Sequence, residues 1–364
     1  MCLCAAISLT GAGCLSVASP APPQPSPPSN VSTATVEVVA RKLHIPWDVA
    51  FLPNGDLLVT ERIGTLLRLT REGKKTMLVG VPKINSEGEG GLLGLVLHPQ
   101  FRQNGWLYLY LTSTALGKTT CRIERYRLDQ NQLVEQKTIL DQIPGATYHD
   151  GGRMAFGPDG FLYITTGDAG KARLAQDKQS LAGKILRLHA DGQLPTDNPF
   201  KNSVWSYGHR NPQGITWDDQ GRLWSTEHGR SGVLSGLDEL NLIERGKNYG
   251  WPLIQGEETK PGMEAPKLQS GPDVTWAPAS AAFLQGSIFF GGLRGERLYE
   301  ADITGQRPVL KEHLIKNFGR IRTVVVGLDG QLYITTSNTD GRGTPRADDD
   351  VLLRVNPQLL RAGF

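Results

Sequence analysis

The sequence predicts an all-β protein, a six-bladed β-propeller with four-stranded antiparallel blades around a central channel. Three observations predict it. A strand–turn–strand unit recurs six times along the chain, each copy turns on a glycine, and long helical periodicity is nearly absent. In the first copy, Trp47 to Thr60, two apolar runs flank Pro53-Asn54-Gly55. The second runs from Gly94 to Pro99 and closes through Asn104 to Leu109 around Gly105. The third, Met154 to Thr165, turns on Pro158-Asp159-Gly160, and the fourth, Gly214 to Ser225, on Asp219-Gln220-Gly221. A degenerate fifth copy spans Ala279 to Phe290 around Gln285-Gly286, and the sixth spans Thr323 to Thr335 around Asp329-Gly330. Asn-Gly and Asp-Gly between apolar runs mark hairpins, because both central positions want positive φ. Intervals between turn glycines run from 44 residues (Gly286 to Gly330) to 65 (Gly221 to Gly286), room for about four strands each. The strand-like ends, Thr35 to Val39 and Val351 to Val355, are expected to share one blade and close the ring. One short turn of helix is expected near Ala175 to Ala182. A pair of β-sandwiches is the competing architecture.

Residues 1–33 stand apart from this grammar. Met1 to Ser19 is apolar and small, and Pro20 to Asn30 is rich in proline and serine. The pattern is that of an export leader followed by a solvated linker, ahead of a single propeller domain over residues 34–364. It places the protein outside the cytoplasm, periplasmic or lipid-anchored to the membrane surface. Gly11-Ala12-Gly13-Cys14 resembles a bacterial lipoprotein cleavage site, which makes Cys14 the expected point of lipid attachment. Of the four cysteines only Cys121 lies past the leader, so no internal disulfide is available. Cys121 sits in the apparent strand Thr119 to Leu128 and reads as a packed small hydrophobe. The net charge of +3 gives no case for nucleic acid. Past the leader no run of about 18 apolar residues occurs, so no membrane span is expected.

Function is sought in polar residues that break the repeat. These are Glu89 in Gly88-Glu89-Gly90-Gly91-Leu92-Leu93-Gly94, and His149 with Asp168, 19 residues apart across the third hairpin. Further along come Gly208-His209-Arg210-Asn211-Pro212-Gln213-Gly214, Glu227-His228-Gly229-Arg230, Asp238-Glu239 with Asn248-Tyr249-Gly250-Trp251-Pro252, then Arg294, Arg320 and Arg322. A neutral imidazole can take a proton near pH 7, and a carboxylate can fix its tautomer, so His149 and Asp168 suit general-base chemistry. Arg210, Arg294, Arg320 and Arg322 could converge on an anion, because guanidinium forks match carboxylates and phosphates. Gly88 to Gly94 is no phosphate loop, since no Gly-Lys-Ser/Thr follows. Cys and His clusters at zinc spacing are missing, whereas loop carbonyls with Asp or Glu suit calcium, Gly229 and Arg230 among them.

Taken in order, these motifs resemble the soluble quinoprotein glucose dehydrogenase family, also called aldose sugar dehydrogenases. The resemblance runs over residues 36 to 356. It implies a six-bladed propeller that uses pyrroloquinoline quinone (PQQ) and calcium to oxidise the C1 hydroxyl of an aldose to a lactone. Carried over, the general base falls on His149 and its orienting carboxylate on Asp168. Arg210 and Asn211 contact cofactor and sugar, and Arg294, Arg320 and Arg322 are the cofactor-binding cations. The carbonyls of Gly229 and Arg230 would hold the catalytic calcium, and the Tyr249 backbone a structural one. The resemblance also counts Arg210 as catalytic and Glu89 as cofactor-binding; Glu89 stands where the family often has a sugar-contacting glutamine, Arg230 where it often has proline, and Arg294 where it often has lysine. The resemblance leaves the sugar and the electron acceptor open, and no Cys-x-x-Cys-His haem motif appears. The rivals are a calcium-dependent lactonase or esterase-type propeller, built on a side-chain carboxylate cage, and a non-catalytic sugar- or partner-binding propeller.

Overall fold

A computed structural model describes Met1 and residues 35–115, 117–232 and 235–362. Apart from Met1, the leader and linker expected over residues 1–33, Cys14 among them, lie outside the described residues. In chain order β1 (Val36–Ala40) precedes the first full blade, β2 (Pro46–Phe51), β3 (Leu57–Glu61), β4 (Thr65–Leu69) and β5 (Lys75–Met77). The second blade is β6 (Leu92–Leu97), β7 (Trp106–Ala115), β8 (Lys118–Asp129) and β9 (Gln132–Pro144). The third is β10 (Met154–Phe156), β11 (Leu162–Thr166), β12 (Lys184–Leu188) and β13 (Val204–Tyr207). The fourth is β14 (Pro212–Trp217), β15 (Leu223–Glu227), β16 (Glu239–Ile243) and β17 (Leu268–Gln269). The fifth is β18 (Pro278–Leu284), β19 (Ser287–Gly292), β20 (Arg297–Asp302) and β21 (Val309–His313). The last is β22 (Ile321–Val326), β23 (Leu332–Thr336) and β24 (Leu352–Val355), completed by β1 from the start of the chain.

Among the described residues these make six four-stranded antiparallel sheets, as the repeat predicts. The expected closure is present: Val36 pairs with Val355 and Val38 with Leu353. The first strands pack on one another round the ring, β2 on β6, β6 on β10, and so on to β22 on β2. All six turn glycines link the first and second strands of their blades, and all have positive φ, from 65° at Gly105 to 89° at Gly55. Buried Val, Leu, Ile and aromatic side chains fill the space between blades. One such cluster joins Trp47, Leu93, Tyr110, Met154 and Ile164 from three consecutive blades. Each buried branched side chain of this kind contributes about 1.5–3 kcal/mol. Cys121 is wholly buried in that cluster, and burial pushes its thiol well above the usual range, as suits a packing residue.

Two local features differ from expectation. The second blade carries a single helical turn, Phe101–Asn104, before its Gly105. The helix expected near Ala175 to Ala182 is instead one 3-10 turn at Ala172–Ala175. Beyond it, Asp177 accepts from the Gln179 N–H at 2.9 Å and Ser180 from the Ala182 N–H at 3.1 Å. Such short side-chain bonds offer the backbone an alternative to helix and end it there.

Bulges prepare the channel. The first strands shift register between Pro46 and Asp48, Leu92 and Leu95, Pro212 and Gly214, Pro278 and Ala281, and Ile321 and Val324. A bulge frees a backbone N–H and re-aims side chains. Threonines of the second strands take up groups freed at bulges: Thr60 accepts from Asp48 N and Thr335 from Thr323 N, at 3.0–3.1 Å, and Thr165 likewise accepts from Arg153 N just before β10 at 3.0 Å. Arg153 pairs with Asp48 at 2.5 Å and donates to the Gln213 carbonyl at 3.1 Å. Its guanidinium lies 4.2 Å from the Trp47 ring. Among the described residues no helix is long and apolar enough to cross a membrane.

Candidate active site

Site residues arise at one end of each hairpin. They sit just before a first strand or just after a second, because an out-and-back hairpin returns the chain to the same end of the blade. Glu89, His149, Arg210 and Arg320 precede β6, β10, β14 and β22, while Asp168, His228, Arg294 and Asp340 follow β11, β15, β19 and β23. Of these, Glu89, His149, Arg210, His228, Arg294 and Arg320 line a cavity of about 730 Å³. A second cavity of about 350 Å³ adjoins it, sharing Glu89, His228, Leu293 and Arg342, and reaching Trp47, Asp150 and Arg322.

The base and its carboxylate meet as expected. His149 Nδ1 lies 2.7 Å from Asp168 Oδ1. Burial alone would raise the Asp168 carboxyl, but the bonds from His149, the Trp251 indole and the Gly170 N–H hold it below its ordinary value. An ionised carboxylate only accepts, so Nδ1–H faces Asp168 and Nε2 is the ring nitrogen left to take a proton. The loop that delivers His149 is strained, with φ of 63°. It runs so close to the end of β11 that a Cβ on Gly167 would lie 2.0 Å from the His149 carbonyl oxygen. Only glycine fits there.

Glu89 joins this loop to the far side of the mouth. One carboxylate oxygen accepts the His149 N–H at 2.9 Å, and the other takes Arg342 at 2.8 Å. Burial works against its charge, yet the His149 N–H, His228 and Arg342 hold the carboxyl at about 2. Glu89 is therefore an anion at neutral pH. Burial pushes His228 down to about 3, so that imidazole is neutral.

Arg210 is buried, and its backbone N–H is bound by Glu227. Its guanidinium donates to Ser231 at 2.6 Å and lies 5.3 Å from the Trp251 ring. Asn211 accepts from the Gly151 N–H at 3.0 Å. Asn211 Nδ2, Arg210 Nε and His228 Nε2 are buried without a protein partner. Arg294 is exposed and donates to Ser235 at 2.7 Å. Arg320 donates to Asp340 at 2.8 Å, and Arg322 lies 3.7 Å from the same carboxylate. The expected ring of four arginines thus divides: Arg210, Arg294 and Arg320 line the larger cavity and Arg322 the inner one. Burial lowers Arg322 to about 9, which leaves it charged at neutral pH.

Gly229 and Arg230 line both the larger cavity and a smaller one beside it, whereas Tyr249 reaches only the smaller. The Tyr249 phenol donates to the Leu242 carbonyl at 2.6 Å, its ring stacks on His209 and its N–H donates to the Tyr207 carbonyl at 2.8 Å, which leaves its backbone carbonyl for any ligand role. The smaller cavity also holds Glu227 and Glu239. Burial, then the neighbouring Glu227 charge, push the Glu239 carboxyl up. Asn241 Oδ1 and Gln255 Oε1 are buried acceptors without a protein partner. Paired carboxylates beside unpaired carbonyl oxygens are the donor chemistry of a hard cation such as calcium.

A family model, Glucose / Sorbosone dehydrogenase, matches residues 43–354. The chain belongs to that family. It is 33% identical to the aldose sugar dehydrogenase YliI of Escherichia coli (strain K12), over 90% of this chain and 94% of the relative. It is 32% identical to quinoprotein glucose dehydrogenase B of Acinetobacter calcoaceticus, over 65% of this chain and 57% of that one. The solved PQQ-bound aldose sugar dehydrogenase of Streptomyces coelicolor superposes with a TM-score of 0.82 at 41% identity, covering 91% of this chain and 99% of that one. The family places the chain among sugar-oxidising oxidoreductases.

In this glucose/sorbosone dehydrogenase fold two site residues, Asp340 and Arg342, lie outside the sequence motifs, and a third, Trp251, lies inside one that assigned it no role. Asp340 neutralises part of the Arg320–Arg322 pair, Arg342 holds Glu89, and the Trp251 indole holds Asp168 at 2.8 Å. Asp340 follows the second strand of its blade, where Asp168 follows that of the third, and this blade position is the signal that could have flagged it.

Proposed function

We propose that this chain is a PQQ- and calcium-dependent dehydrogenase that oxidises the C1 hydroxyl of aldoses to lactones. The observation that carries the reading is the 2.7 Å His149–Asp168 bond on the wall of an arginine-lined cavity. The residues fit the cofactor. PQQ is a flat tricarboxylate, and Arg210, Arg294, Arg320 and Arg322 supply cationic forks, while Asn211 Nδ2 and Arg210 Nε are buried donors awaiting acceptors. Gly229 and Arg230 are the proposed backbone ligands of the catalytic calcium, and Tyr249 of a structural one. When bound, PQQ polarised by calcium supplies the hydride acceptor.

This chain's own residues then orient sugar and move its proton. Nε2 of His149 takes the proton from the anomeric hydroxyl as the C1 hydride leaves. Asp168 keeps that ring in the right tautomer and stabilises the imidazolium that forms. Glu89, ionised and held by Arg342, offers acceptors to sugar hydroxyls, where glutamine would also donate. A side-chain carboxylate cage of the kind a lactonase-type propeller uses is not found among the described residues. The proposal includes export, with lipid attachment at Cys14, which mass spectrometry of the mature N-terminus tests. Adding PQQ and calcium to the purified chain should produce dye reduction with aldoses. No reduction with any of several aldoses would overturn the reading.

A further inference from the structure

We propose that Trp251 is the positioning residue of the base, its indole N–H fixing the rotation of Asp168 while its ring face seats Arg210. The inference rests on the reading of His149 as the base. A carboxylate held at one oxygen can turn about its Cβ–Cγ bond and carry the imidazole with it. Asp168 is held at both. Oδ1 accepts from His149 at 2.7 Å and from the Gly170 N–H at 2.8 Å, while Oδ2 accepts from the Trp251 indole Nε1–H at 2.8 Å. The two oxygens thus face separate donors from separate blades, and the carboxylate plane is determined.

Trp251 is itself held from several sides. Its backbone N–H donates to the Gly208 carbonyl at 2.9 Å. Its carbonyl accepts from Gln176 Nε2 at 2.7 Å. Gln176 is locked to Asn248 by reciprocal amide bonds of 3.0 and 2.9 Å. The 3-10 turn just before Gln176 is anchored by buried Lys184, whose Nζ donates to the Leu174, Ala175 and Ala182 carbonyls at 2.6–3.0 Å. A continuous chain of bonds therefore runs from the third blade's interior through Gln176 and Trp251 to Asp168 and His149. On the indole face, the Arg210 guanidinium lies 5.3 Å from the ring centroid. That contact gives the same side chain a second duty, placing a cation of the cavity. A supporting partner of this sort typically changes activity by about tenfold or more when removed.

The test separates the two duties. In the cofactor-free full-length chain, the low-field proton resonance that vanishes in His149→Ala reports the His149–Asp168 bond. Trp251→Phe, which keeps a ring and loses the N–H, should shift that resonance upfield or broaden it. In the PQQ- and calcium-loaded enzyme it should lower kcat about tenfold while KM for the aldose stays within about twofold. Trp251→Leu, which also removes the ring beneath Arg210, should raise KM as well. An unchanged resonance in Trp251→Phe would overturn the proposal, as would an unchanged kcat. If Trp251→Phe does not fold, the indole N–H resonance of Trp251 is followed in Asp168→Asn instead. An upfield move supports the proposal and no change overturns it. Turnover surviving in His149→Ala would instead sink the base assignment, a result distinguishable from the resonance test because that test needs no cofactor.

Discussion

The two ends of the third blade's first hairpin obey different rules. At the turn end the acidic side chain is paired locally. Asp159 accepts from Tyr163 at 2.8 Å and from Arg187 at 3.1 Å, and Arg187 in turn lies 3.8 Å from the Phe161 ring centroid. A Cβ on Gly160 would meet nothing within 4 Å. At the mouth end His149 has positive φ, Gly167 has no room for a Cβ, and Asn211, Arg210 and His228 each bury a polar atom without a protein partner. The same strands connect both ends. Local rules hold where the hairpin only has to fold, and they give way where it has to bind and react.

The glycine pair tests this contrast most strongly. Gly167→Ala must displace the His149 carbonyl, so we expect about a hundredfold loss of kcat, since a shift near 1 Å misplaces the base. Melting should show a cost of roughly 1–3 kcal/mol from the overpacked contact. Wild-type kcat in this variant would mean that the close approach does not position His149. Glu89 gives a smaller effect with a pH signature. Its folded carboxyl lies at about 2, below the ordinary 4.5. Its charge therefore stabilises the fold fully above about pH 4.5, and that contribution is lost as pH falls toward 2. Glu89→Gln should melt lower than wild type at neutral pH by on the order of 2 kcal/mol, and the gap should close on acidification. A gap constant from pH 6 to pH 3 would remove the charged pairing with Arg342. Gly160→Ala should be mildest, costing about 1 kcal/mol for its left-handed φ and leaving kcat untouched. An effect on kcat there would break the division between the two ends.

The sequence made the scaffold legible because each blade repeats a local code, apolar run, glycine turn and apolar run, which needs no knowledge of distant residues. Most of the site was legible for the opposite reason. His149, Asp168, Arg210 and Glu89 interrupt that code, and the hairpin itself brings the first two to one end. What stayed hidden depends on long-range pairing. Arg342 lies 253 residues from Glu89, and Trp251 lies 83 residues from Asp168. Blade position could flag Asp340, but no local pattern marks Arg342 two residues on as anything but part of a polar loop. The division of the arginines between two cavities was equally hidden, since Asp340 binds Arg320 and Arg322 alike while the two line different cavities. The displaced helical turn at Ala172–Ala175 shows the same limit locally, with the Asp177 and Ser180 caps outweighing helical spacing.

The most direct test of the account is single-turnover reduction of bound PQQ by an aldose deuterated at C1, in wild type and in His149→Ala, with calcium present. The account predicts reduction slowed by deuterium in wild type, and PQQ bound but not reduced in His149→Ala. Reduction at the same rate in both proteins would contradict it.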